Sequence, residues 1–224
     1  MYRMISTVTI VKPGDAMDRP TVFVVDDDVS VRESLELLIG SAGWRPMLFD
    51  SAQAFLEAPL PASPCCLVLD VNMPGLNGLD LQSMIAVSRS KMPIIFMSGF
   101  GDVPMTVKAL KGGALDFLTK PIDTMALLDA VRSALAQSEA MLRDDGDLMQ
   151  LQSRYDGLTK REREVMVRVV KGLLNKQVAY ELDISEITVK AHRGQVMRKM
   201  GARTLPDLVT MAARLRLDEP HNIH

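Results

Sequence analysis

Between Thr21 and about Ala140 short apolar runs alternate with amphipathic segments, and that alternation leaves few folds open. The runs are Val22-Phe23-Val24-Val25, Arg45 to Phe49, Cys66 to Leu69, Pro93 to Met97 and Ala114 to Leu118. Val31, Leu35, Leu38 and Ile39 share one helical face, and Gly43 ends that helix. Ala52, Phe55 and Leu56 mark a short second helix, and Leu79, Met84, Ile85 and Val87 a third. A fourth, Val103 to Leu110, stops at Gly112-Gly113, and a fifth runs from Asp123 to about Ala140. Unbroken apolar runs of this length read as strands buried on both faces. Strand–helix alternation then predicts a doubly wound α/β domain, a five-stranded parallel sheet with right-handed crossovers.

The third run ends on a carboxylate, Asp70, and the chain turns at once through Asn72, Pro74, Gly75, Asn77 and Gly78. A sheet of this kind binds ligands outside the carboxyl ends of its strands. Those ends carry Asp26 and Asp27, Asp70, Ser98 and Lys120. Three converging carboxylates repel unless a cation lies between them. Oxygen donors with room for water suit Mg²⁺. Aspartate can accept a phosphoryl group covalently. A cation, a lysine and a hydroxyl would neutralise charge on the transferred oxygens. Cys65 and Cys66 lie inside a buried strand and read as small hydrophobes, not as a disulfide or metal pair.

Val25-Asp26-Asp27, Asp70 with Asn72-Met73-Pro74, Ser98-Gly99 and Thr119-Lys120-Pro121 resemble the receiver domain of two-component response regulators, a flavodoxin-like fold. The resemblance implies a role for each residue. Asp70 would accept the phosphoryl group, and Asp26 and Asp27 would bind Mg²⁺ with Asp70 and the backbone carbonyl of Asn72. Lys120 would pair with phosphoryl oxygens, and Ser98 and Phe117 would form a switch pair, Phe117 standing where the family often has Tyr. The Lys120-Pro121 bond would be cis. Asp28 reads as a helix cap rather than a ligand.

Beyond Leu158 strand signals vanish. Thr159 and Glu162 form a capping box opening a helix to Lys171, with Gly172 after it. Asn175 to Leu182 is a second helix, Asp183-Ile184-Ser185 a tight turn, and Ser185 caps a third helix ending before Gly201. A second capping box, Thr204 to Asp207, opens a last helix through Arg214. This is a small all-α, four-helix, helix-turn-helix pattern. The third helix carries Thr188, Lys190, His192, Arg193, Gln195, Arg198 and Lys199, against an expected apolar stripe of Ile187, Val189, Val196, Met197 and Met200. A basic, amide-bearing face suits the major groove.

Leu158-Thr159-Lys160-Arg161-Glu162-Arg163-Glu164-Val165, Asn175-Lys176-Gln177-Val178-Ala179 and Thr188-Val189-Lys190-Ala191-His192-Arg193 resemble the LuxR-type (GerE) DNA-binding domain. Receiver plus this output is the FixJ/NarL class, and Ser98 to Met105 is FixJ-like. The resemblance implies DNA contacts from Thr188, Lys190, His192, Arg193, Gln195 and Arg198, and dimerisation through the helix after Thr204. Gly194 departs from the family, which usually has a larger polar residue there.

Charge divides the same way. Pro20 to Leu135 holds 8 Lys+Arg against 13 Asp+Glu, and Leu158 to His224 holds 13 against 8, although the whole chain is only −2. An acidic half and a basic half fit a cation or phosphate site in one and a nucleic-acid surface in the other. No apolar run approaches the ~20 residues that span a bilayer, and residues 1–19 have no signal-peptide core. The expectations are a flexible tail over 1–19, with Met17 a candidate start, a receiver over 20–136, a linker over 137–156, the helix-turn-helix domain over 157–217 and a tail over 218–224. Asp144-Asp145-Gly146-Asp147 is expected to break the helix within the linker.

The resulting reading is a cytoplasmic transcription regulator and not an enzyme, beyond self-catalysed phosphoryl transfer and autodephosphorylation. Its partners would be a sensor histidine kinase, double-stranded promoter DNA, a second copy of itself on phosphorylation, and RNA polymerase, with no membrane partner. Two rivals differ in class. A Mg²⁺-dependent phosphohydrolase of the haloacid-dehalogenase type needs a second acid two residues after its nucleophile, where this chain has Asn72. A phosphate sink would keep the acidic site but read no DNA.

Overall fold

The computed structural model describes residues 19–88, 92–99 and 103–217. The two expected tails lie outside these residues, Arg19 excepted, as do Phe100, Gly101 and Asp102. The chain divides into two compact units, parting between Leu142 and Arg143.

The first unit alternates as expected: β1 Thr21–Val25, α1 Val29–Ser41, β2 Arg45–Phe49, α2 Ala52–Glu57, β3 Cys65–Asp70, α3 Gly78–Ser88, β4 Ile94–Ser98, α4 Val103–Lys111, β5 Asp116–Thr119 and the start of α5, Thr124–Asp156. The strands form one parallel sheet in the order β2-β1-β3-β4-β5. Every residue of β1, β3 and β4 is buried. Successive side chains go to opposite faces. Phe23, Val25, Leu67, Leu69 and Phe96 pack with Phe55, Leu81, Ile85 and Ala109 from α2, α3 and α4. Val22, Val24, Cys66, Val68, Ile95 and Met97 pack with Leu35 and Ile39 of α1 and Leu127, Val131 and Ala134 of α5. That two-sided burial is why these strands carry no polar alternation.

Three local readings change. β5 starts at Asp116, not Ala114, because Gly113 is in a left-handed conformation and the backbone pairs with β4 only from Leu115 N–H to Ile94 O onward. Met84 is exposed, and Leu81 takes the core position on α3. The segment 137–156 is helical from end to end, with no break at Asp144 to Asp147. Its N-terminal part belongs to the first unit, where the Cys65 amide donates to the Ser138 hydroxyl at 3.0 Å. Its last turns bury Leu151 in the core of the second unit. One glycine weakens a helix by about 1 kcal/mol, too little to break one anchored on both sides.

The second unit adds α6 Lys160–Val170, α7 Asn175–Leu182, α8 Glu186–Met200 and α9 Leu205–Arg214. Both expected capping boxes form, Thr159 with Glu162 and Thr204 with Asp207, and Ser185 caps α8. Val165, Met166, Val178, Val189, Val196, Met200 and Leu208 fill the core. Asp183 turns the chain between α7 and α8 at φ 51, a left-handed conformation that Asp tolerates better than most residues.

Candidate functional site

Asp26 follows β1 and Asp70 ends β3, and these neighbouring strands put both carboxylates at one sheet edge. Asp26 is fully buried and Asp70 is 5% exposed, whereas Asp27 is exposed. One oxygen from each of Asp26, Asp27 and Asp70 lies within 4.8 Å of the others. Lys120, one residue past β5, reaches in from the side: its Nζ is 2.7 Å from Asp26 Oδ2 and 3.3 Å from Asp70 Oδ2. Its backbone N–H donates to the Ser98 carbonyl at 2.8 Å, and the Lys120-Pro121 bond is cis. Ser98 is buried, and its hydroxyl accepts from Asn72 Nδ2 at 3.4 Å. Phe117 is half-buried, its ring centroid 6.3 Å from that of Phe96. Asp28 caps α1, accepting from the Ser30 amide at 2.8 Å.

Burial pushes the Asp70 carboxyl above its ordinary value; Lys120 opposes that shift and Asp26 adds to it. Burial pulls the Lys120 ammonium down, but its bond and attraction to Asp26, then to Asp70, outweigh burial and raise it. Asp70 Oδ1 is buried and accepts no hydrogen bond. A buried carboxylate oxygen without a donor carries a substantial desolvation penalty. Three carboxylates that each bring one oxygen to within 4.8 Å of the others are a donor set that suits a small hard cation such as Mg²⁺, so the residues present fit that ion.

Two contributors were not legible in the sequence. Arg32 Nη1 donates to the Asp26 carbonyl at 2.7 Å, and no motif marks that arginine. Gly78, visible only as a turn residue, lets the start of α3 lie against the backbone of Asp70. A Cβ there would stand 2.4 Å from the Asp70 carbonyl oxygen and 3.0 Å from Val71 Cα.

On the second unit, α8 exposes Ile187, Lys190, Ala191, Gly194, Gln195 and Arg198. Their spacing of three and four residues makes one continuous helical face. Ile187 was expected to pack with Val189 and Val196, yet it is 79% exposed. It stands two residues before Val189, about 200° round the helix, and so faces outward. Arg198 donates to the Gln195 side-chain oxygen on the same face. Thr188 lies at the edge of this face, beside Gln195, while His192 and Arg193 lie off it. The Thr188 hydroxyl is 2.8 Å from Ser185 Oγ at the cap, and Arg193 Nη1 donates to Asn175 Oδ1 at 3.1 Å. His192 is half-buried on the flank.

Residues 22–132 match the model for the response regulator receiver domain, and residues 156–212 match that for bacterial regulatory proteins of the LuxR family. Nodulation protein W of Bradyrhizobium diazoefficiens is 46% identical over 207 residues, which cover 92% of this chain and 91% of that one. The chain belongs to the response regulators with a LuxR-type output domain. The transcriptional regulatory protein FixJ of Azorhizobium caulinodans is 46% identical over 191 residues, covering 85% of this regulator and 90% of that protein. Among solved structures, response regulator StyR aligns with a TM-score of 0.77 at 44% identity, covering 88% of this chain and 99% of that one. Full-length FixJ from B. japonicum aligns at 0.52 and 40%, covering 89% and 98%. This regulator is therefore a DNA-binding transcription regulator of the two-component type. The receiver implies a histidine kinase partner, and the LuxR-type domain implies DNA. No helix among the described residues is long and apolar enough to cross a membrane.

Proposed function

We propose that a sensor histidine kinase transfers a phosphoryl group to Asp70, and that this controls how the basic unit engages promoter DNA. The observation that carries the reading is Asp70 itself, which meets Asp26, Asp27 and, through Oδ2, Lys120, while its Oδ1 is buried and unpartnered. A lone pair on that oxygen attacks phosphorus, the bond from phosphorus to the donor imidazole nitrogen breaks, and the nitrogen keeps the bonding pair. Asp26, Asp27, Asp70 and the Asn72 carbonyl would hold Mg²⁺, which supplies charge neutralisation for the carboxylates and the phosphoryl oxygens. Lys120, already held by Asp26, turns its ammonium to the phosphoryl oxygens. Ser98 offers its hydroxyl to the same group, and Phe117 follows that movement on β5.

Dimerisation through α4, β5 and α5 links the two events. Val103, Val107 and Leu110, spaced as one face of α4, and Met125 at the start of α5 are large exposed apolar side chains. Two paired receivers bring two basic units to adjacent half-sites, which raises the effective concentration of the second. Lys190, Gln195 and Arg198 face DNA, with Thr188, His192 and Arg193 as flanking contacts. RNA polymerase is the downstream partner, and the cytoplasm is where kinase, promoter and polymerase meet. A phosphohydrolase would need an acid at position 72, where the Asn72 amide bonds to Ser98 instead.

Incubation with labelled acetyl phosphate and Mg²⁺ tests the site. Acid-stable, base-labile label on Asp70, lost in Asp70→Asn, supports it; labelling of Asp70→Asn at the wild-type rate overturns it.

A further inference from the structure

The exposed face of α8 contains one residue that neither charge nor packing accounts for. Ile187 lies in the first turn of the helix, 79% exposed, on the same face as Lys190, Gln195 and Arg198. A single exposed aliphatic side chain means little by itself. Its place is what matters, because in a helix-turn-helix the first residues of the second helix meet base edges. One turn further on, that face is flat. Ala191 has only a methyl group, and a Cβ at Gly194 would meet no atom within 4 Å. Nothing in the fold therefore demands glycine at 194, although glycine is a poorer helix former than alanine. A low middle with an isoleucine at its leading end and Lys190 beside it lets the helix approach the groove floor closely. The one apolar group there that distinguishes a base is the 5-methyl of thymine.

We propose that Ile187 is a specificity-determining residue that packs on a thymine methyl group in the major groove of each half-site. The inference rests on the DNA-binding function of the LuxR-type unit, and its test separates the two. Duplexes are selected from a randomised pool with the full chain, Mg²⁺ and acetyl phosphate. Each thymine of the selected site is then replaced by uracil, which removes only the methyl group and keeps the pairing.

At one position per half-site, wild type is expected to lose about fourfold in affinity, the worth of burying one methyl group. Ile187→Ala should bind the thymine and uracil duplexes equally, and Ile187→Val should keep part of the discrimination. The exposed position makes these variants safe for folding. A flat uracil scan, or an unchanged thymine preference in Ile187→Ala, overturns the proposal while DNA binding stands. So does an Ile187→Ala protein that binds as wild type but fails to activate transcription, which would assign the residue to a protein contact. A pool that never enriches overturns the DNA-binding reading and this inference with it.

Discussion

Gly78 lies so close to Asp70 that a β-carbon on it would stand 2.4 Å from the Asp70 carbonyl oxygen. The contact is backbone against backbone, and Gly78 N–H also donates to the Val71 carbonyl at 3.0 Å. Neither partner can swing aside as a flexible side chain would. Gly78→Ala should therefore displace the loop carrying Asp70, at a cost of about 1–3 kcal/mol. Urea unfolding should show that loss, and acetyl phosphate labelling should slow. Wild-type stability and labelling together would mean the loop yields freely.

Asp70 is held in the folded protein against its own charge. Its carboxyl is raised by burial, less what Lys120 takes back, so the folded state binds a proton that the unfolded state has released. The stability this contributes is present below the ordinary aspartate range and lost as pH rises through the folded value. At neutral pH, Asp70→Asn should be more stable than wild type in metal-free buffer, with the gain fading as pH falls through the raised folded value and gone by about 4. Added Mg²⁺ should stabilise wild type and leave Asp70→Asn nearly unchanged. Thermal unfolding at several pH values, with and without the ion, measures both effects.

Glu162 shows the opposite sign in the second unit. It is nearly buried, accepts from Lys199 Nζ at 2.7 Å and from the Thr159 amide at 2.7 Å. Burial would raise its carboxyl, but Lys199 and Thr159 together lower it below its ordinary value. Its stabilisation is full above the ordinary glutamate range and lost as pH falls through the depressed folded value. Glu162→Ala removes both the ion pair and half of a capping box, for a loss of about 1–3 kcal/mol. Far-UV circular dichroism should find it unfolding at lower urea at pH 7, with the difference shrinking toward pH 3.

The continuous α5 predicts that Gly146 is an ordinary weak point in a helix. No atom lies within 4 Å of a Cβ placed there. Gly146→Ala should raise helicity and stability by about 0.5–1 kcal/mol, and Gly146→Pro should lower both. A segment without helical structure would not respond to the alanine.

Much of this was legible because the signals were local and redundant. Val22 to Val25 and Cys66 to Leu69 read as strands because burial on both faces leaves no polar alternation to confuse them. Asp26, Asp70, Ser98 and Lys120 were placed together by strand topology alone, and the structure puts them at one edge. What failed depended on tertiary context. The helix through Gly146 is carried by anchors at Ser138 and Leu151, on either side of a stretch that looks like a break. Ile187 reads as core from its hydrophobicity, and only the direction of its Cβ on α8 shows otherwise. Arg32 reaches a backbone carbonyl, which no side-chain pattern encodes.

The phosphoryl state of Asp70 is proposed to govern assembly and DNA binding together. Analytical ultracentrifugation of the full chain with Mg²⁺, with and without beryllofluoride, alongside titration of a selected duplex, tests it most directly. Beryllofluoride should double the mass and tighten duplex binding, and Asp70→Asn should show neither change. An unchanged mass with unchanged affinity in wild type would contradict it.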